Sequence, residues 1–327
     1  MRLRVISDPP DEFDWIEALR PLTRGEPAAF GLMDDAAVLP ARPGYDVVVS
    51  EDAMVEGVHF LQGEDPAIVA RRLLRTSLSD LAAKAAEPFG YMLMIAWPPS
   101  RDWEERLAFI SGLDHDSALF NIALLGGDTV STPGPLTVSA TVFGWAPLDG
   151  AVPRSGALPR HELVVCGMIG DGFLGLKAAR GEIADRSGRL ALKYRLPEPR
   201  LELRDALRAY AAAAADVSDG LIADALNLAE ASECGVVIDL GLMPMSKAAH
   251  AWVARRKDKA KALLELAAAG DDYAIVCAAA RGEALVAAAT ACGVPSAVIG
   301  AFVPRPGLDV RYEGQRLSPR RIGYRHS

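Results

Sequence analysis

The chain has 327 residues, 50% of them apolar, with 35 Lys and Arg against 43 Asp and Glu, so its formal charge is −8. This is an ordinary globular composition, long enough for about two domains that each bury a core, and it argues against disorder and against a small disulfide scaffold. An acidic balance with no basic run also argues against a nucleic-acid surface, because neutralising phosphates needs clustered Lys and Arg. Cys166, Cys234, Cys277 and Cys292 lie far apart with no C-x-x-C pair, which predicts reduced core cysteines rather than zinc. No apolar run approaches the ~18 residues of a membrane span, and the first ten residues lack a signal-peptide core, so the expectation is a cytoplasmic protein.

In chain order, short apolar runs alternate with helical spacing, which predicts a mixed α/β fold. Residues 45–50 (YDVVVS) read as a strand running into Glu51 and Asp52, and apolar positions from Arg71 to Ala86 recur at helical spacing, setting Ser79 and Asp80 on a rigid element. A strand over 91–97 and a helix over 103–120 follow, then a strand over 122–125 that empties into Gly126-Gly127-Asp128-Thr129, and another over 136–144. The Pro- and Gly-rich stretch 146–159 marks the domain boundary, giving domains 1–149 and 150–327. Beyond it come a strand over 162–167, a helix over 200–214, a DVSDG turn at 216–220 opening a helix over 221–232, and strands over 273–277 and 296–303. The Ala-rich segments around Ala211 and Ala267 fit helices.

Two motifs lead nowhere. Gly170-Asp171-Gly172-Phe173-Leu174-Gly175 matches G-x-G-x-x-G, but no acidic residue closes a second strand about 20 residues on, as a dinucleotide site requires. Lys177 is displaced from the position a Walker loop needs. What stands out is aspartate at the ends of apolar elements: Asp34-Asp35, Asp52, Asp80, Asp128, Asp216 and Asp219. Each alone is a normal cap or turn residue. Together they repel, at about 4 kcal/mol for a pair 4 Å apart at an effective dielectric near 20, unless cations lie between them. Carboxylates without His or Cys suit a hard ion, and Mg²⁺ is held by a few carboxylates plus substrate phosphates.

The words GLMDDAAVLP, SEDAMVEGVHF, SLSDLAAKAAEP, LLGGDT, PRSGALP, DVSDGLIADALNLAEASECGVVIDL, AGDDYAIV and the terminal GYRH occur in an order that resembles the thiamine-monophosphate kinase family. This family belongs to the superfamily of aminoimidazole-ribonucleotide synthetase and selenophosphate synthetase. The resemblance implies a two-domain architecture of mixed α/β sheets like that of aminoimidazole-ribonucleotide synthetase. The N-terminal domain would bind metal and ATP and form a homodimer through its sheet, and the C-terminal domain would close over the ligands. It implies transfer of the ATP γ-phosphate to thiamine monophosphate with several Mg²⁺ ions, and no nucleic-acid or membrane partner. Metal ligands would be Asp35, Ser50, Glu51, Asp52, Asp80, Asp128, Asp216 and Asp219, with Asp80, Asp128 and Asp216 central to catalysis. ATP would meet Gly127, Asp128, Arg154 and Ser218, and thiamine monophosphate would meet His59, Asp271 and Tyr324.

Without the resemblance, His59 reads as a hydrogen-bonded structural histidine, Tyr324 as terminal packing and Arg154 as a surface charge. Met33, Glu51, Asp271 and Ala274 depart from the family pattern, standing where Gly, Thr, Glu and an acid are usual. The rival readings are an inactive nucleotide-binding paralogue and another ATP-using synthetase of the superfamily. A selenophosphate synthetase would need a reactive cysteine near its start, whereas the first here is Cys166.

Overall fold

The computed structural model describes residues 11–324. Asp11 caps the first helix, accepting the amide protons of Phe13 and Asp14 while Asp14 accepts that of Asp11, and so begins α1 (Glu12–Leu19). There follow β1 (Tyr45–Val55), α2 (Pro66–Ala83), β2 (Glu87–Trp97), α3 (Trp103–Phe120), β3 (Ala123–Ser131) and β4 (Thr137–Pro147). Next are β5 (Glu162–Cys166), α4 (Asp171–Ala179), α5 (Arg189–Arg195), α6 (Arg204–Tyr210), β6 (Ala211–Asp216), α7 (Leu221–Ala231) and β7 (Gly235–Asp239). The chain ends with α8 (Lys247–Ala254), α9 (Lys259–Ala267), β8 (Ile275–Ala279), α10 (Gly282–Ala291), β9 (Ser296–Val303), β10 (Gly307–Tyr312) and β11 (Gln315–Leu317). The fold is mixed α/β.

The chain divides into two compact units. The first comprises Met1–Pro43, Val49–Ser77 and Pro88–Gly144, and the second Gly44–Val48, Leu78–Glu87 and Trp145–Ser327. In the first, a four-stranded sheet runs in the order β1-β4-β2-β3, with β2 and β3 parallel. Its aromatic core sets Trp15 edge-on to Trp97 and Trp103, and Trp97 edge-on to Phe109. Asp116, fully buried on α3, is matched by the guanidinium groups of Arg71 and Arg75, so its charge is not left unpaired.

In the second unit a seven-stranded sheet runs β11-β10-β7-β9-β5-β8-β6 and is antiparallel except where β10 meets β7. Both faces of its centre are covered, which explains the unbroken apolar runs ELVVC and IVCAA. Leu163, Val165, Ala213, Ala215, Val276 and Ala278 pack on one face with α7 and α9. Val164, Cys166, Ala214, Cys277 and Ala279 pack on the other with Leu207 and Leu285.

Two expectations are corrected. The helix expected over 200–214 ends at Tyr210, and Ala211–Asp216 is strand β6. Alanine is the best helix former in isolation. Here pairing with β8 wins, since Ala213 and Ala215 are buried on one face of the sheet and Ala214 on the other. The strand expected to end at Leu125 continues through Gly126, Gly127 and Asp128 to Ser131, its register against β2 shifting at Tyr91 and Met92. The DVSDG turn does open a helix, and the Ala267 segment is helical as α9. All four cysteines are free thiols, with Cys292 exposed and the others buried. Among the described residues no helix is long and apolar enough to cross a membrane.

Candidate active site

In the second unit, three of the sequence words converge by main-chain bonding. β6 delivers Asp216, 4% exposed, and the chain then turns through Val217, Ser218 and Asp219 into α7. The Asp271 N–H donates to the Ser218 carbonyl at 2.9 Å, the Tyr273 N–H to Val217 at 2.9 Å, and Val217 N–H to Ala274 at 2.8 Å, so DVSDG and AGDDY lie side by side. The Tyr324 N–H donates to the Asp219 carbonyl at 2.8 Å, which brings Gly323 and Tyr324 of the GYRH word to the same loop, its Arg325 and His326 lying outside the described residues. Glycine is required twice: a Cβ at Gly270 would come within 2.1 Å of the Ser218 carbonyl oxygen, and one at Gly323 within 2.5 Å of the Ala223 Cβ. Asp271, at φ +68°, accepts the Tyr273 hydroxyl at 3.3 Å.

The loop is held from below by Asp224, which sequence reasoning passed over. Its carboxyl accepts the N–H groups of Asp219 at 3.2 Å and Gly220 at 3.1 Å from the first turn of α7. Burial and the neighbouring Asp219 charge push its pKa up to about 7, against the pull of those two amides and Arg154. The only sequence signal was an acid placed four residues after the glycine that opens a helix.

Asp80 lies on α2 as expected, and Lys84 one turn later donates through Nζ to the Ala214 carbonyl on β6 at 2.7 Å. Burial, then Arg154, lowers the Lys84 pKa to about 8, while Asp216 and Asp80 oppose the fall. Arg154 itself is exposed. The structure thus brings Asp80, Arg154 and Asp216 into one electrostatic neighbourhood around a lysine that the sequence did not single out.

The discarded glycine motif has a structural role. Asp272 accepts the N–H groups of Gly170 at 2.7 Å and Gly172 at 2.8 Å, occupying the amides at the start of α4. Burial pushes Asp272 up to about 8 in spite of them. A Cβ at Gly172 would lie 2.3 Å from the Asp271 carbonyl oxygen, and one at Gly175 would lie 2.5 Å from that of Leu190, so these glycines permit close packing. Nothing local in the sequence links Asp272 to Gly170, since the partners are a hundred residues apart in the chain.

In the first unit, β1 alternates with a two-residue period, so Ser50 and Asp52 share one face and Glu51 points to the other. Glu51 instead accepts the Ser139 hydroxyl on β4 at 2.8 Å. Its carboxylate therefore lies on the opposite face of β1 from the Ser50 and Asp52 side chains. Asp128 is exposed on β3 and accepts its neighbour Thr129 N–H at 2.8 Å, while Trp15 Nε1 donates to the Thr129 hydroxyl at 2.9 Å. A Cβ at Gly127 would fall 1.9 Å from the Leu93 carbonyl oxygen, so β2 and β3 approach too closely for any other residue. Asp35 is exposed, its N–H bonded to the Asp34 carboxylate at 2.8 Å. His59 Nδ1 accepts the Val55 N–H at 3.1 Å in the turn after β1, which places the proton of the neutral ring on Nε2.

The donor set fits a hard cation in chemistry, being carboxylates and a hydroxyl with no thiol or imidazole. Among the described residues no three His, Cys, Asp or Glu side chains form a preassembled cage.

The family model for the N-terminal domain of AIR synthase related proteins matches residues 33–146, and that for their C-terminal domain matches residues 161–313. The thiamine-monophosphate kinase of Caulobacter vibrioides is 54% identical over 321 residues, covering 97% of this chain and 91% of that one. The crystal structure of thiamine-monophosphate kinase from Stenotrophomonas maltophilia K279a is 31% identical, with a TM-score of 0.81 over 94% of this chain and 98% of that one. AaThiL complexed with AMPPCP and TMP is 21% identical, with a TM-score of 0.76 over 99% of each chain, a likeness of fold. The chain belongs to the thiamine-monophosphate kinase family, within the AIR synthase related proteins.

Proposed function

We propose that the protein transfers the γ-phosphate of ATP to thiamine monophosphate, giving thiamine diphosphate and ADP. The observation that carries this reading is the 54% identity along nearly the whole chain to a thiamine-monophosphate kinase. The convergence of the DVSDG and AGDDY words with Tyr324 within the second unit supports it. The acceptor is itself a phosphate monoester, whose second pKa near 6 leaves it ionised at pH 7, so no side-chain base has to make the nucleophile. This agrees with a site built of carboxylates, amides and cationic side chains rather than a Ser-His-Asp arrangement.

In this reading Mg²⁺ ions are held by Asp80, Asp216 and Asp219 from the second unit and by Asp35, Ser50, Asp52 and Asp128 from the first. The chemistry they supply when bound is neutralisation of the charge that two phosphate groups bring together. The proposal sets the Glu51 side chain apart from Ser50 and Asp52, since it accepts the Ser139 hydroxyl. Arg154 and Ser218 bind ATP with Gly127 and Asp128, and the arginine offsets phosphate charge. Asp271, Tyr324 and His59 bind thiamine monophosphate. Residues 1–149 are proposed as the domain that dimerises and carries Asp35, Ser50, Asp52, Asp80, Gly127 and Asp128 for metal and ATP, and 150–327 as the C-terminal domain closing over the ligands. A cytoplasmic homodimer with no nucleic-acid or membrane partner completes the proposal, on the strength of the family resemblance and the net charge of −8.

The test is incubation of the purified protein with ATP, Mg²⁺ and thiamine monophosphate, with thiamine and aminoimidazole precursors as control acceptors. Equal, Mg²⁺-dependent yields of ADP and thiamine diphosphate are expected. Binding of Mg·ATP without product would overturn the reading in favour of a nucleotide-binding paralogue.

A further inference from the structure

We propose that Lys84 is a positioning residue for phosphoryl transfer, latching together the three segments that carry Asp80, Asp216 and Arg154. The inference rests on the kinase reading above and concerns the second unit alone. Lys84 follows the last residue of α2, and its N–H donates to the Asp80 carbonyl at 3.1 Å, so the turn bearing Asp80 continues into it. Its carbonyl accepts the Val152 N–H at 3.2 Å, and its ammonium donates to the Ala214 carbonyl at 2.7 Å. The Ala214 N–H in turn donates to the Pro153 carbonyl at 2.9 Å, closing a circuit of main-chain and side-chain bonds. Arg154 is the next residue after Pro153, and Asp216 lies two residues beyond Ala214.

The circuit sits where β6 needs it. β6 is the outermost strand of the seven-stranded sheet, paired by β8 on one side only, so its other edge must find partners elsewhere. At Ala214 the partners are the linker at Pro153 and the ammonium of Lys84, and a Cβ at Gly156 would lie 2.6 Å from the Ala212 carbonyl oxygen, so the linker follows the strand closely. The Lys84 charge is attracted by Asp216 and Asp80 and repelled by Arg154, so it lies within electrostatic reach of all three. A neutral residue of the same length fills the space but donates nothing to the carbonyl. Loss of the latch lets β6 and the 152–156 segment drift apart, and a displacement of about 1 Å at groups aligning two phosphates is enough to slow transfer about a hundredfold.

The test compares Lys84→Met and Lys84→Arg with the wild-type protein in two independent ways. In hydrogen–deuterium exchange on protein free of metal and nucleotide, Lys84→Met is expected to speed exchange in peptides covering 152–157 and 211–218 by about tenfold or more, leaving the β7 and β9 peptides unchanged. In turnover, Lys84→Met is expected to lower kcat by roughly 10- to 100-fold with KM for thiamine monophosphate within about twofold, the mark of lost alignment rather than lost binding. Lys84→Arg, which keeps a charged donor, retains the exchange pattern and a kcat within about threefold of wild type. The proposal is overturned if Lys84→Met exchanges and turns over like wild type, or if Lys84→Arg falls outside those limits; the arginine variant decides alone if the methionine variant does not fold. A wild-type protein that makes no thiamine diphosphate would overturn the kinase reading instead, and the exchange arm, which uses no substrate, would still decide the latch.

Discussion

Asp216, Ser218 and Asp219 stand on a loop whose neighbours bond it from two sides and from beneath, through Asp271, Tyr273, Tyr324 and Asp224. Asp35 and Asp128 in the first unit are exposed, and Ser50 and Asp52 lie half-buried on one face of β1. The contrast separates two ways of placing carboxylates for a cation. In the second unit the protein has already taken the acids partly out of water and set dipoles and a lysine against them, so their geometry exists before any ligand arrives. In the first, Asp35 and Asp128 are left exposed, and a ligand must order them. Substitutions in the second unit should therefore disturb alignment and stability together, whereas those in the first should change chiefly how much metal is needed.

The largest expected effect follows directly. Asp216→Asn keeps the shape of a buried side chain but removes the charge, and kcat for thiamine diphosphate formation should fall about 10³-fold, equivalent to about 4 kcal/mol of barrier. Asp128→Asn, at an exposed position, should cost only about tenfold and be partly recovered by raising Mg²⁺. Steady-state kinetics over a Mg²⁺ series measures both. Equal losses, or recovery of the Asp216 variant by metal, would break the distinction between the units.

A pH experiment sharpens it. Asp224 has its pKa raised to about 7 in the folded protein. Between the unfolded value near 4 and about 7 the folded chain keeps a proton that the unfolded chain has released, so this group makes stability fall as pH rises through that window. Asn imitates the protonated acid, and Asp224→Asn should therefore gain stability relative to wild type by roughly 2 kcal/mol between pH 5 and pH 8. Urea unfolding at the two pH values reads the difference. A constant gap between the two proteins would mean that Asp224 stays ionised and holds the loop as a carboxylate.

Much of this was legible in the sequence because the information was local. The turn of DVSDG into a helix, the helical placement of Asp80 and the strand before Asp52 all follow from apolar period and capping residues a few positions away. What was not legible depended on partners distant in the chain. Residues 211–214 read as helix until β8 is there to pair with them, and nothing local marks Lys84 as the donor to the Ala214 carbonyl. Nothing local ties Asp272 to the amides of Gly170 and Gly172 either. The departures from the family pattern divide in the same way. Ala274 is fully buried, and its Cβ would stand 2.7 Å from a Cβ on Gly167, so it is packed against a position that only glycine can fill.

Glu51 gives the smallest effect and the most specific check on strand geometry. The resemblance groups it with Ser50 and Asp52 as a metal ligand, but successive side chains of a strand point to opposite faces, and its carboxylate accepts the Ser139 hydroxyl. Gln retains an oxygen that can accept the same hydroxyl, so Glu51→Gln should leave both kcat and the half-saturating Mg²⁺ within about twofold of wild type. Asp52→Asn, one residue along and on the other face, should raise the Mg²⁺ requirement about tenfold, because it removes a charge from the proposed ligand set. A Mg²⁺ titration of the two variants side by side settles the matter. A tenfold rise for Glu51→Gln would mean that the carboxylate turns away from Ser139 to reach a cation, and that the strand's alternation does not decide which side chains bind metal.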